Sequence, residues 1–323
     1  MQRVIALDPA SYRRHLIHGE GRRWSETNCY VDLWVELLHA LGHEPIAALA
    51  FTLPIDFEGD QWTFFKFPLS DIYDLYGLDV QELAIWRPVI SHVEEQVGRG
   101  NPVLVELDSF YLPDTAGTAY KQAHVKTTVA VMEVDVEAHH LGYFHNQGYF
   151  HLSGDDFTDI FRLRGEPDPS RLAPYVEFVK THNRPKASDQ DIARVSVQQL
   201  RKQLTLLPLS NPFARFRERL VADMDWLLQG NLETFHQYSF ATLRQYGACY
   251  ELSATYLRWL DEHGEKGAGE LAERFDHISE GAKVFQFQLA RAISRRKPLD
   301  MSPLDDMAAS WDQVTRVLKS RFL

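Results

Sequence analysis

The chain of 323 residues has little of what several protein classes require. Its two cysteines are too few for a disulfide framework, which favours a reducing compartment and predicts a cytoplasmic location. No apolar run approaches the roughly 18 residues of a membrane span, and the N-terminus lacks the apolar core of a signal peptide. The sequence therefore predicts no association with a membrane.

Positive charge is also scarce. The formal net charge is -11, with 34 Lys and Arg against 45 Asp and Glu, so we expect no nucleic-acid partner. Phosphate-binding loops, dinucleotide fingerprints, zinc-type cysteine pairs and internal repeats are absent from the sequence. His39 and His43 have a spacing that suits a metal, but Gly42 between them indicates the end of a helix. We expect no cofactor and no metal.

Enough apolar residues are present for a full core, and their pattern changes near residue 185. Helix-like and strand-like patterns alternate before that point, whereas almost everything after it has helical periodicity. The polar segment 181–191 separates the two parts as a linker or long loop. The sequence predicts an α+β domain over residues 1–185 and an all-helical domain over residues 186–323.

Several elements of the first part can be placed. Apolar residues from Val31 to Leu41 lie on one helical face that ends at Gly42, and Pro88 can open a second helix. Strand-like runs follow in the stretches PVLVELDSFYL, HVKTTVAVMEVD, LGYFHN and GYFHLS. We therefore expect a sheet built mainly from residues 102–153.

Cys29 stands where a polar stretch meets the first helical pattern, in WSETNCYVDLW. Backbone N–H groups and the helix dipole stabilise a thiolate at a helix N-terminus, which lowers its pKa toward the reactive range. The alternative is that Cys29 packs as a small apolar residue, since free cysteines are commonly buried. Cys249 lies within a helical pattern and is expected in the core.

A reactive thiolate needs a base and a group that orients the base. His124 begins the most strongly alternating strand, and Asn146 ends the next strand before Gly148. An amide at that position can hold a histidine ring toward the sulfur. Asp108 and Asp135 are alternatives to Asn146.

Other interpretations of these residues remain open. His145 and His151 compete with His124 as the base, although strand alternation turns His145 away from Asn146. His124 can equally be a histidine of a surface loop. Asn146 can be a simple turn residue, because turns favour Asn before Gly.

A helix-initiating cysteine, a strand-initiating histidine and an Asn or Asp after the next strand follow one another in the order of papain-fold cysteine enzymes. Over residues 20–165 the chain most resembles the family of the butirosin-biosynthesis acyltransferase, which moves an acyl group from a carrier-protein thioester to an amine. It also resembles a bacterial family that accompanies amino acid:carrier-protein ligases. The resemblance implies a papain-like domain with Cys29 as nucleophile, His124 as base and Asn146 as orienter.

The chain departs from the papain-like pattern at one position, and the resemblance does not assign its substrate pocket. Papain-like enzymes place a glutamine about six residues before the cysteine, where this chain has Arg23, so Asn28, Thr27 or backbone groups would have to stabilise the oxyanion. The aromatic stretch FEGDQWTFFKFP suggests Trp62 and Phe65 as walls of a substrate pocket that also includes Asp108, with a buried hairpin as the alternative.

The expected donor is an acyl or aminoacyl carrier protein bearing a phosphopantetheine thioester, and the expected acceptor is a small-molecule amine. Of three basic clusters, the one containing Arg22 and Arg23 is predicted to bind the carrier protein because it precedes Cys29 directly. The alternatives are a cysteine peptidase or thioesterase, in which water is the acceptor, and a non-catalytic scaffold that binds a carrier protein or ligase.

Overall fold

The computed structural model describes residues 1–26, 28–164, 172–181 and 188–323. The chain forms two compact units. We call the first the sheet unit, comprising Met1–Glu20, Asn28–His43 and Ile72–Lys186. We call the second the helical unit, comprising Gly21–Thr27, Glu44–Asp71 and Ala187–Leu323.

The first half combines strands and helices, which confirms the predicted α+β class. The strands are β1 (Gln2–Arg3), β2 (Asp79–Glu82), β3 (Val103–Asp108), β4 (Lys126–Asp135), β5 (His140–His145), β6 (Gly148–Ser153) and β7 (Val176–Lys180). The helices are α1 (Cys29–Ala40), α2 (Leu69–Tyr76), α3 (Val89–Gly98) and α4 (Asp155–Ile160).

The strands of the described residues form one antiparallel sheet in the order β2-β7-β3-β4-β5-β6, with β1 paired to β4. Alternate residues such as Val103 and Val105 pack with α3 and α4 in an apolar cluster. Tyr30 of α1 reaches Glu177, which pairs with Leu104 and therefore lies on the other face. Thus α1 covers the face opposite α3.

The strand register places the end of β3, the start of β4, the end of β5 and the start of β6 on the same side of the sheet. Asp108 at the end of β3 pairs with Lys126 at the start of β4. His145 at the end of β5 pairs with Gly148 at the start of β6. The segments before β4 and after β5 therefore meet at the same edge of the sheet, where the sequence predicted a base and its orienter.

The second half is helical, as predicted. Its helices are α5 (Asp189–Thr205), α6 (Pro212–Gln229), α7 (Leu232–Ser239), α8 (Gln245–Glu262), α9 (Ala268–Arg295) and α10 (Ser302–Phe322), with a π-helical turn over Phe240–Arg244. In the described part of the chain, no helix is both long and apolar enough to cross a membrane.

The predicted division at residues 185 and 186 falls within residues 182–187, which lie outside the described residues. The prediction that residues 1–185 form one domain misses a segment of the helical unit, Glu44–Asp71. The 3-10 helix Pro45–Thr52 is buried along its whole length, and Ala47 O accepts a hydrogen bond from Ser196 Oγ at 2.7 Å. A segment that is apolar on all sides must be enclosed, and α5 and α8 enclose it.

Candidate functional site

Cys29 is the first residue of α1. Asn28 caps the helix through its side-chain oxygen, which accepts a hydrogen bond from the backbone N–H of Val31 at 2.8 Å. Cys29 is partly exposed and lies at the positive end of the helix dipole. Thr27, the other predicted contributor to an oxyanion hole, lies outside the described residues.

The second cysteine has a different environment. Cys249 is fully buried in α8, and its Sγ donates a hydrogen bond to the carbonyl of Thr52 at 3.2 Å. Burial raises the pKa of the Cys249 thiol well above its ordinary value. As the sequence predicted, Cys249 is a core residue.

His124 forms a pair with Asp108 at the edge of the sheet. Its Nδ1 lies 2.6 Å from Oδ2 of Asp108, and its ring stacks on Phe110 with the centroids 4.4 Å apart. The other carboxylate oxygen of Asp108 accepts a hydrogen bond from the Phe110 N–H at 3.0 Å, which holds the carboxylate in place. With 67% of its side chain exposed, His124 presents its remaining nitrogen to solvent. Because the carboxylate of Asp108 is held in place and contacts Nδ1, Asp108 orients the ring of His124.

Asn146 has a different position from the one predicted for an orienter. It lies in the turn between β5 and β6 with a φ of 49°, a conformation that Asn tolerates better than most residues. Within the described residues, no hydrogen bond joins its side chain to His124. The turn interpretation accounts for Asn146, and its assignment as the orienter is not supported by any contact.

The remaining alternatives occupy other environments. Asp135 accepts a hydrogen bond from the Ala138 N–H at 2.9 Å and lies at the far end of β4. His145 is buried, with Nδ1 2.5 Å from Asp114 and Nε2 2.8 Å from the Thr127 hydroxyl. Because both nitrogens of His145 are engaged, it is unsuited to act as a base. Cys29 Sγ forms no hydrogen bond to His124 among the described residues.

The structure favours the buried-hairpin alternative for Trp62 and Phe65 over walls of a substrate pocket. An antiparallel bridge pairs Phe57 with Trp62, and both Trp62 and Phe65 are buried in the helical unit. The Trp62 ring packs against Phe213 and Tyr246 at centroid distances of 5.2 and 4.8 Å. These rings fill the core of the helical unit, as a buried hairpin would.

Arg22 and Arg23 are already paired within the helical unit. Arg22 is nearly buried, and its Nε donates a hydrogen bond to Trp24 O at 2.9 Å and lies 3.4 Å from Glu251. Arg23 pairs with Asp276 at 3.1 Å and also with Glu280. These carboxylates offset the positive charge that a docking surface for an acidic carrier protein needs, which argues against the predicted docking role.

A buried polar network lies along α1, and the sequence analysis missed it. The side chains of Asp32 and Glu36 are one turn apart and at most 1% exposed. His18 Nε2 lies 3.2 Å from Asp32, its Nδ1 contacts Glu36, and the Tyr12 hydroxyl donates to Glu36 at 2.5 Å. The signal in the sequence was the pair of acidic residues at an i, i+4 spacing within an apolar helix.

The network favours a protonated His18, because each ring nitrogen faces a carboxylate. Burial lowers the pKa of His18, but the hydrogen bonds and charges of Asp32 and Glu36 outweigh it, and the resulting pKa is above the ordinary value of 6.5. Protonated His18 therefore stabilises the fold fully below about pH 6.5. This contribution is lost as the pH rises through the raised pKa of the folded state.

We accordingly expect the stability difference between the native protein and a His18→Leu variant to shrink as the pH rises from 6 to 9. Urea unfolding of both proteins at each pH, followed by tryptophan fluorescence, measures this difference. A difference that stays constant or grows over this range would contradict the protonated state of His18.

The structure also brings together three potential metal ligands, although the sequence predicted no metal site. A carboxylate oxygen of Glu133 and one nitrogen each of His140 and His151 lie within 4.8 Å of one another. His140 begins β5, so its side chain lies on the sheet. Strand pairing between distant residues assembles this cluster, which is why spacing along the sequence did not reveal it.

Two protein-family models match the chain. Residues 13–181 match the DUF1839 N-terminal domain, and residues 189–320 match the DUF1839 C-terminal domain. The curated proteins compared with the chain yield no match. The two matched regions meet near the change in sequence character at residue 185 and together cover most of the chain. The chain therefore belongs to the DUF1839 family.

Proposed function

We propose that this protein is a cysteine-dependent acyl or aminoacyl transferase with a papain-like catalytic domain. It moves an acyl group from the phosphopantetheine thioester of a carrier protein to an amine. The observation that carries the proposal is the pairing of His124 with Asp108 in the same compact unit as the helix-initiating Cys29. A base with an orienting carboxylate and a thiol at a helix N-terminus are the parts that thiol-based acyl transfer requires.

In the proposed reaction, His124 takes the proton of Cys29 through Nε2, and the thiolate attacks the thioester carbonyl. The C–S bond to phosphopantetheine breaks, and its sulfur leaves with the proton from His124. An amine then attacks the acyl-Cys29 and gives its proton to His124, which returns it to the Cys29 sulfur as that bond breaks. Asp108 takes the role first assigned to Asn146 and stabilises the imidazolium.

The proposed attack by Cys29 requires stabilisation of an oxyanion and a contact between Cys29 and His124. In this proposal, the positive end of the α1 dipole stabilises the oxyanion that forms beside Cys29. The hydrogen bond between Cys29 and His124 must form when substrate binds, and catalytic hydrogen bonds commonly tighten only in the substrate complex. The exposure of His124 leaves room for its ring to move.

We expect iodoacetamide to label Cys29 well before Cys249. Cys29 is partly exposed at a helix N-terminus, whereas burial and a raised pKa protect Cys249. Timed alkylation followed by peptide mapping gives the two rates. Faster labelling of Cys249, or equally slow labelling of both, would contradict the assignment of Cys29 as nucleophile.

The function itself is tested by mixing the protein with an acyl-phosphopantetheine thioester and measuring its intact mass. An acyl adduct on Cys29 is expected, and amines should release it faster than water does. Cys29→Ala should abolish the adduct, whereas the matched Cys249→Ala variant should retain it. An adduct released equally fast by water alone would indicate a thioesterase or peptidase. Binding of a loaded carrier protein without any adduct would indicate the scaffold alternative.

A further inference from the structure

Strands β4, β5 and β6 arrange three potential metal ligands around a glycine. The register pairs Glu133 with Gly142, and Gly142 with His151, so these positions lie on the same face of the sheet. His140 is two residues before Gly142 and shares that face. Because Gly142 has no side chain, the side chains of Glu133, His140 and His151 can approach one another on this face.

The distances suit a single ion. Glu133 Oε1 and His140 Nε2 are 2.9 Å apart, and the rings of His140 and His151 are 4.6 Å apart at an angle of 73°. Ligand atoms of a tetrahedral zinc site are separated by about 3.3 Å, given metal–ligand distances of about 2.0–2.2 Å. All three ligand atoms already lie within 4.8 Å of one another, which leaves only a short approach to that spacing.

Tyr149 supplies an independent indication of a ligand. It is 3% exposed, yet within the described part of the chain its hydroxyl has no hydrogen-bond partner. A Cβ placed on Gly142 would clash with this hydroxyl and lie 3.0 Å from the Cβ of Glu133, so the hydroxyl lies in the space over Gly142. A buried hydroxyl without a partner is unfavourable, and a water or ligand bound there would satisfy it.

Charge also favours a cation at this position. Glu133 is only 6% exposed, and among the described residues it forms an ion pair with His140 but with no lysine or arginine. A buried carboxylate needs compensating charge. Two imidazoles and one carboxylate suit a transition-metal ion such as zinc, because magnesium and calcium prefer oxygen ligands.

We propose that Glu133, His140 and His151 bind one divalent transition-metal ion, with the Tyr149 hydroxyl hydrogen-bonded to a water in the remaining position. Three protein ligands leave one position of a tetrahedral ion open, and the exposure of His151 gives access to it. Strand β4 separates this site from the edge of the sheet where Asp108 orients His124. The seven residues from the start of β4 to Glu133 span roughly 23 Å. The metal proposal is therefore independent of the proposed acyl transfer.

The test is titration of the full-length chain, freed of metal with EDTA, with Zn²⁺ in a calorimeter and with Co²⁺ by visible absorption. One ion per chain is expected. His151→Ala should weaken binding at least about 10-fold, since loss of supporting residues alone costs 10–100-fold at such sites. His151 is exposed, so this variant should fold, and circular dichroism checks that it does. Tyr149→Phe should keep the stoichiometry and change the Co²⁺ spectrum.

Two matched controls distinguish this site from other residues that could bind the metal ion. His139→Ala removes the neighbouring histidine, which lies outside the cluster, and Cys29→Ser removes the exposed thiol. Both variants should bind like the native protein. Failure of the native chain to bind Zn²⁺, unchanged binding by His151→Ala and His140→Gln, or loss of binding in Cys29→Ser would each overturn the proposal. An unchanged Co²⁺ spectrum in Tyr149→Phe would remove Tyr149 from it.

Discussion

Replacing His124 with alanine is expected to slow acyl transfer by about 10²–10⁴-fold, the usual contribution of a positioned general base. The loss should appear in the rate of adduct formation on Cys29, measured by intact mass with an acyl-phosphopantetheine thioester. The fold should be intact, because His124 is exposed and precedes the first residue of β4.

The partner of His124 can be identified with two matched variants. Asp108→Asn preserves the shape of the side chain and an oxygen that can accept from the Phe110 N–H, but it removes the charge that stabilises the imidazolium. Asn146→Gly removes the amide and tolerates the left-handed φ of the turn. We expect a large loss of transfer from Asp108→Asn and almost none from Asn146→Gly.

The reverse result, a large loss from Asn146→Gly and normal transfer by Asp108→Asn, would restore the orienter that the family resemblance implied. Normal transfer by His124→Ala would remove His124 from the mechanism altogether. Because residues that act as a unit are not additive, the double variant of His124 and Asp108 should be no slower than His124→Ala alone.

The second large effect is expected from His18. His18→Ala leaves the carboxylates of Asp32 and Glu36 buried on one face of α1 without their shared partner. Removing one partner from a buried ion pair costs about 3–5 kcal/mol of folding free energy. Urea unfolding at pH 6, where His18 is protonated, should show a loss of this size.

Two further variants check that the loss comes from uncompensated charge. The double variant His18→Leu with Glu36→Gln removes a carboxylate together with the histidine. Its loss of folding free energy should therefore be smaller than the sum of the losses in the two single variants. The exposed His124→Ala variant provides the control, since surface substitutions usually change stability by within about 0.5 kcal/mol. Additive losses in the double variant would show that the cavity, rather than the charge, dominates.

Local elements of this protein were predictable because short-range chemistry determines them. Asn28 supplies a helix cap, and the apolar spacing from Val31 onward continues the helix, so α1 begins at Cys29 as predicted. Asn211 and Pro212 likewise begin α6. Strict alternation identified β4. In each case the interactions that form the element lie within a few residues of one another.

Partners across the fold depended on the tertiary structure. Pairing of β3 with β4 brings Asp108 to His124, and pairing of β4, β5 and β6 brings Glu133 to His140 and His151. The sequence marks Trp62 as part of an aromatic stretch, but it does not show whether Trp62 packs in a core or lines a pocket. Register and domain membership follow from the free energy of packing between distant segments, and a shift of one residue would turn each of these side chains to the other face.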